Sequence, residues 1–216
     1  MNNEVISFEE AATKIPDGAT VSVCGAWMLV PDKLLAAIET RFLSTGRPHG
    51  LTATFLLCPG GTADQPGIER LAHAGLLCRT IGGSYPNLPD SRLRRLIAED
   101  KVAAYNLPAG MIAGLYREIG AGRPGVLSRS GIRSFVDPRL EGGRMNRAAT
   151  EELVRVVSMN GDECLHVPSF PINVALIRAT TADDRGNLSM EHEPASLTAL
   201  AQAAAARASE IGRAHV

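Results

Sequence analysis

Aromatic side chains make up only 4% of this 216-residue chain, and there is a single tryptophan, Trp27. No basic stripe interleaved with aromatics is present to stack bases or track a phosphate backbone, which argues against nucleic acid as the main partner. Charge of one sign is missing too, since 22 basic and 23 acidic residues leave a net charge of −1. The apolar run near the N-terminus is short and follows Lys14 and Asp17, fitting neither a signal peptide nor a membrane span. Cysteine is sparse: Cys24, Cys58, Cys78 and Cys164 are scattered without a CxxC pair, which predicts reduced thiols at strand ends in a cytoplasmic protein. His49, His73, His166 and His192 lack any spacing suited to a metal, so no metal site is expected.

What is present is an ordinary globular composition, 45% hydrophobic and 21% charged, in a chain long enough to bury a full core. Ser7 and Glu10 form a capping box that starts a helix running to about Ile15, and Pro16-Asp-Gly18 breaks it. Thr20 to Cys24 reads as the first strand, ending at Gly25. Pro31 suits a first helical position, and Leu34, Leu35, Ile38 and Phe42 recur at helical spacing before Gly46. A strand from Leu51 to Leu57 ends at Pro59-Gly-Gly61, a helix spans about Gly67 to His73, and a strand from Leu77 to Ile81 ends at Gly82-Gly83. A helix over Ser91 to Glu99 leads to a strand at Val102 to Tyr105. Strands and helices therefore alternate, predicting an α/β fold whose mostly parallel open sheet has helices on both faces. Residues 123–172 are rich in Gly, Pro and Arg, with short strands at Val156-Val157 and Leu165 to Val167, and read as a small antiparallel excursion. Val174 to Ile177 returns as a buried strand, and Ser196 to Ala208 is an Ala-rich last helix.

One segment points to chemistry. The strand ending at Tyr105 runs into Pro108-Ala109-Gly110, which opens an apolar helix from Met111 to Ile119. This places backbone N–H groups at a strand end and a helix start, where open α/β sheets bind ligands. Gly25-Ala26 and Gly82-Gly83 are the equivalent strand-end positions; packing alone is the competing account of both, as it is for Trp27. Asp183 to Asn187 has the spacing of an Asx turn or hairpin. Arg133, Arg139 and Arg144 read as a solvated loop face more readily than as a phosphate cradle, and Cys24 as a buried thiol.

Three ordered blocks resemble the class I CoA-transferases, in particular the N-terminal, α-subunit-like half of the fused acetate- or propionate-type enzymes. They are Val21-Ser-Val-Cys-Gly25-Ala with Val30-Pro31; Ala104 to Gly110 with Val126-Leu-Ser and Phe135-Val-Asp137-Pro; and Ala175 to Asn187. The resemblance implies CoA exchange between a short-chain acyl-CoA and a carboxylic acid, in short-chain fatty-acid and oxoacid metabolism. A glutamate forms first a mixed anhydride and then a glutamyl-CoA thioester. CoA is a substrate and no cofactor is implied. Expected substrate-binding or oxyanion residues are Gly25, Ala26, Trp27, Met28, Gly82, Gly83, Pro108, Ala109 and Gly110.

The family's nucleophilic glutamate belongs to the second, β-like half, and none of Glu118, Glu141, Glu191 or Glu193 stands in its motif. No catalytic residue is therefore expected in this chain, which alone should be inactive. Its implied partners are acyl-CoA, small carboxylic acids and a β-like half or subunit, in a homo-oligomer. The family carries more glycines where this chain has Trp27-Met28-Leu29, and commonly Gln where it has Ala109. These departures predict a reshaped acyl pocket, with Trp27 filling space for a different acid. An acyl-CoA thioesterase and a non-catalytic partner-binding module are the alternatives. Finally, Ile211-Gly-Arg-Ala-His-Val216 back-translates as ATC GGA AGA GCA CAC GTC, a common sequencing adapter. The expected division is a domain over 1–209 and a non-native tail over 210–216.

Overall fold

The computed structural model describes residues 5–62 and 64–209, and the backbone of residues 213–215. Helix α1 (Phe8–Thr13) begins where the sequence predicts, with the Glu10 amide donating to Ser7 Oγ at 3.0 Å. It ends at Thr13, two residues earlier than expected, with Lys14 as its cap. Strand β1 (Thr20–Val23) is buried along its whole length and leads to α2 (Asp32–Thr45). Gly46 closes α2 in the left-handed conformation, φ +72°, which glycine adopts without steric cost. Then follow β2 (Leu51–Phe55), a short 3-10 helix (Gly67–Leu71), β3 (Leu77–Gly82), α3 (Arg92–Ala98) and β4 (Ala103–Asn106). The predicted helix over 67–73 is thus a tighter and shorter turn. Its Ile68 amide donates to Pro59 O at 2.9 Å, folding the segment back onto the end of β2.

Helix α4 (Ala109–Gly120) crosses to the other face of the sheet. The excursion that follows forms a separate antiparallel sheet, β5 (Gly125–Ser128), β6 (Arg155–Met159) and β7 (Asp162–Pro168), in the order β5-β7-β6. The chain rejoins the main sheet at β8 (Val174–Leu176), makes a small hairpin of β9 (Thr181–Ala182) and β10 (Leu188–Ser189), and continues through α5 (Ala199–Ala208). Of the expected non-native tail, residues 210–212 and 216 lie outside the described residues. The backbone of Arg213–His215 forms β11, parallel to β8.

The main sheet has the order β11-β8-β1-β2-β3-β4, and every pairing in it is parallel. From β1 the chain winds outward through β2, β3 and β4, then returns to β1's opposite side as β8. Side chains of β1 explain its double burial. Val21 and Val23 join the core under α1, α2 and α3, while Cys24, with Ile81 and Tyr105 of the neighbouring strands, joins the core under α4 and α5. A strand covered on both faces must be buried throughout, and β1 meets this with Val21 and Val23 in one core and a hydrogen-bonded Ser22 facing the other.

Polar side chains on the α4 and α5 face form a closed network. Thr54 Oγ1 lies 3.0 Å from Tyr116 Oη, Gln202 Nε2 donates to Ser22 Oγ at 2.6 Å, and Thr198 Oγ1 donates to Gln202 Oε1 at 3.2 Å. All five residues are buried, and among the described residues no buried polar side-chain atom lacks a partner. Burial pushes the Tyr116 hydroxyl up to about 12, so it stays protonated and acts as a fixed hydrogen-bonding group.

Candidate functional site

The carboxyl ends of the parallel strands carry the loops singled out in the sequence, and these loops are tied to one another sideways. Gly25 has φ +135°, a conformation that side-chain-bearing residues rarely adopt, and it turns the chain sharply out of β1. The Ala26 amide donates to Met28 O at 2.9 Å, and Ala26 O accepts from the Gly60 amide of the β2 loop at 2.5 Å. Farther along, the Cys58 amide donates to Ser84 Oγ at 2.9 Å, joining the β2 and β3 loops. The Gly83 amide donates to Phe55 O at 3.3 Å and the Leu107 amide to Gly82 O at 3.0 Å. A Cβ on Gly83 would lie 3.2 Å from Ala109 Cα, so the β3 loop touches the start of α4.

The result is a continuous rim from Gly25 to Gly110. It contains all nine predicted site residues, brought together from positions 85 residues apart in sequence. Three strand spacings separate β1 from β4, roughly 14 Å. The rim is therefore too wide for Gly25 to Met28 and Pro108 to Gly110 to serve one oxygen atom. They form two ends of an elongated surface.

The two ends share one property. Among the described residues, the amides of Trp27 and Met28 at one end, and of Ala109 and Gly110 at the other, have no backbone or side-chain acceptor. Ala109 and Gly110 open the first turn of α4, where N–H groups are left over by helix geometry and the helix dipole favours negative charge. Pro108, at the cap, is only half-buried, and nothing lies within 4 Å of where a Gly110 side chain would start. The β1 loop sits at the switch point, because β2 and β8 flank β1 and lead away to opposite sides. Crevices in open α/β sheets form at such a position.

Gly82 and Gly83 are explained by crowding. A methyl group on Gly82 would run into the Phe55 ring, and one on Gly83 into Leu56 O. Tyr85 reinforces this corner. Its hydroxyl donates to Tyr105 O at 2.7 Å, and its ring meets Phe55 edge-on with centroids 5.6 Å apart. Ser84, Cys58 and Gly60 are rim members that sequence reasoning did not single out. The available signal was Pro59-Gly-Gly61 closing an apolar strand, as Gly82-Gly83 and Pro108 close theirs.

The two rim thiols, Cys24 and Cys58, are buried and held in the protonated form. Burial pushes Cys24 up to about 12 against a smaller opposing effect from the Gly25 backbone, and burial with the nearby Glu69 charge does the same to Cys58. Three of the four carboxylates weighed in the sequence are paired elsewhere, and the fourth, Glu141, lines the groove beyond β4. Glu118 pairs with Arg123 at 3.2 Å, Glu193 with Arg178 at 3.0 Å, and Glu191 accepts from Thr181 at 3.2 Å. Asp183 is indeed an Asx turn, its Oδ1 accepting from the Arg185 and Asn187 amides at 2.9 and 2.7 Å.

Beyond β4 the rim meets an open groove of about 560 Å³ lined by Asn106, Phe135, Glu141, Gly143, Arg144 and Met145. Arg139 is not free to serve it, being held by Asp137 at 2.8 Å and Glu163 at 3.1 Å. Among the described residues, no helix is long and apolar enough to cross a membrane, and no group of three or more His, Cys, Asp or Glu side chains could hold a metal.

Known proteins share this fold. The chain is 40% identical over 207 residues to a caffeate CoA-transferase from Acetobacterium woodii, covering 94% of this chain and 38% of that protein. It is 35% identical over 200 residues to the acetate CoA-transferase YdiF of Escherichia coli K12, covering 91% of this chain and 37% of that protein. A crystal structure of YdiF from E. coli O157:H7, described as a thioester complex with CoA, superposes with a TM-score of 0.90 at 34% identity, over 97% of this chain and 42% of that one. The chain thus spans well under half the length of these relatives. With the strand-end rim in place, the coenzyme A transferase family model matching residues 5–212, and curated relatives alike over more than nine-tenths of the chain, the chain belongs to the coenzyme A transferase family.

Proposed function

We propose that this chain is the N-terminal, α-subunit-like half of an acyl-CoA:carboxylate CoA-transferase. The nucleophilic glutamate comes from a β-like half, fused or separate, and is presented to the rim at the carboxyl ends of β1 to β4. The observation that carries the reading is the pair of unpartnered amide sets at the two ends of that rim, on a chain of this family. Attack of a carboxylate on a thioester builds negative charge on the carbonyl oxygen. A preorganised N–H donor at that oxygen stabilises the transition state by about 3 kcal/mol. Backbone donors cost no reorganisation, and the sideways ties of the rim hold them still. The buried, protonated thiols of Cys24 and Cys58 leave the carboxylate unchallenged as nucleophile.

In this reading CoA enters and leaves as a substrate, no further cofactor takes part, and the site is complete only when both halves are present. A homo-oligomer in the cytoplasm is the setting we infer. The test is CoA exchange by the complete protein, from acetyl-CoA to a panel of carboxylic acids, followed by mass spectrometry of the acyl-CoA products. New acyl-CoA species are expected. Hydrolysis at a rate indifferent to added acid would instead select a thioesterase, and inertness toward every acyl-CoA would select a non-catalytic module.

A further inference from the structure

Trp27 is 66% exposed and Met28 beside it 37% exposed, although the aromatic content of the chain is only 4%. Their exposure is imposed by the turn. Gly25 at φ +135° and Leu29 at φ +60° bend the backbone on either side, and both polar backbone atoms of Ala26 are used, one within the turn and one on Gly60. Leu29 and Val30 plunge back into the core at 2% and 3% exposure. The tip is pinned at both ends, so the indole and the thioether are held outward at the switch point. The amides of Trp27 and Met28 lie on the same tip and have no acceptor among the described residues.

We propose that this tip selects an aromatic carboxylic acid as the CoA acceptor, the ring lying on Trp27 and Met28 and the carboxyl group meeting the turn's amides. The proposal rests on the transferase reading above and names its acid. An indole prefers an offset or edge-on aromatic partner, and a thioether adds a favourable contact to a ring. Acetate or propionate presents one or two carbons and would leave most of the indole in water. An aryl acid covers it, and places its carboxylate on donors of the same turn. The reaction balances without a net proton or electron: R–CO–SCoA and Ar–COO⁻ give R–COO⁻ and Ar–CO–SCoA, one thioester broken and one formed.

The test uses the complete protein and two readouts. In the exchange assay, the ratio of kcat/KM for cinnamate to that for propionate is expected to exceed tenfold. It should fall at least tenfold in Trp27→Ala and be largely restored in Trp27→Phe. In the second readout, cinnamate should quench a fluorescence component that is present in the wild type and absent from Trp27→Phe, and propionate should not. Exchange without aromatic preference, with no quenching, overturns the proposal and leaves the transferase reading standing. Quenching by cinnamate without exchange removes the transferase reading, and overturns the acceptor role with it while leaving an aromatic contact at Trp27. If the rest of the protein covers Trp27, acrylamide will not reach it and Trp27→Ala will lower stability without moving the ratio, which also overturns the proposal.

Discussion

Asp137 shows how much one side chain can organise. Its carboxylate is 1% exposed and accepts from Arg139 Nε and Nη2 at 2.9 and 2.8 Å, and from the Arg133 and Arg139 amides at 2.8 and 3.0 Å. The Arg139 guanidinium, with help from the Arg133 amide, holds its pKa well below the usual carboxylate range. A group depressed on folding contributes stability that is complete above the unfolded value, about 4, and is lost as pH falls through the folded value. Asp137→Asn should therefore lower the melting temperature at pH 7, and the gap from wild type should close as pH drops below about 4. An equal gap at pH 7 and pH 3 in a thermal-melt series would contradict this. Gly82 is the complementary case, where the absence of a side chain matters. Gly82→Ala should cost about 1–3 kcal/mol in urea denaturation because the Phe55 ring must move. A change under about 0.5 kcal/mol would mean the ring has room.

Among the elements, α4 and α5 decide the second face of the sheet. A side chain at Gly120 of α4 would start 3.0 Å from Ala204 Cβ of α5, so small residues let the two helices approach closely. This is the reason for α5's run of alanines, which from sequence reads only as helix propensity. Gln202 then reaches Ser22 in β1, linking α5 to the strand that carries the Gly25 turn. Gln202→Leu should cost about 1–3 kcal/mol by leaving the Thr198 hydroxyl without its side-chain partner and removing one of those of Ser22 in the core. Equilibrium unfolding of that variant within error of the wild type would show that the network is dispensable. The first helix, the strands at 20–24 and 77–81, and the helices after Pro31, Ser91 and Pro108 were legible because each shows a cap, a glycine stop or an uninterrupted apolar run. The 3-10 turn at 67–71 was not. Its form depends on Ile68 bonding to Pro59 and on Arg70 pairing with Asp32 at 2.8 Å, contacts that no local pattern announces.

At the scale of the molecule, the proposed division of labour gives this chain the rim and the other half the nucleophile. A preparation of this chain alone should show no CoA exchange above background, while the complete protein exchanges CoA with carboxylic acids. Exchange by the isolated chain would require a nucleophile among its own residues and would overturn the division of labour proposed here. The mean properties agree with a chain that buries two cores, one on each face of the sheet.

Local grammar was enough for the alternation of strands and helices, the parallel winding, the antiparallel insertion after residue 123 and the strand-end turns, because turns, caps and apolar periods are short-range properties. The identity of Gly25, Pro108 and Gly110 as members of one surface also followed from that grammar, since strand ends of a parallel sheet share an edge. Only the tertiary structure decided which loops lie side by side and how far apart the two sets of free amides stand. It alone assigned Gly82 to packing against Phe55 and left Trp27 facing outward. Those outcomes depend on strand order and on contacts between residues far apart in sequence, and neither is encoded in any one segment.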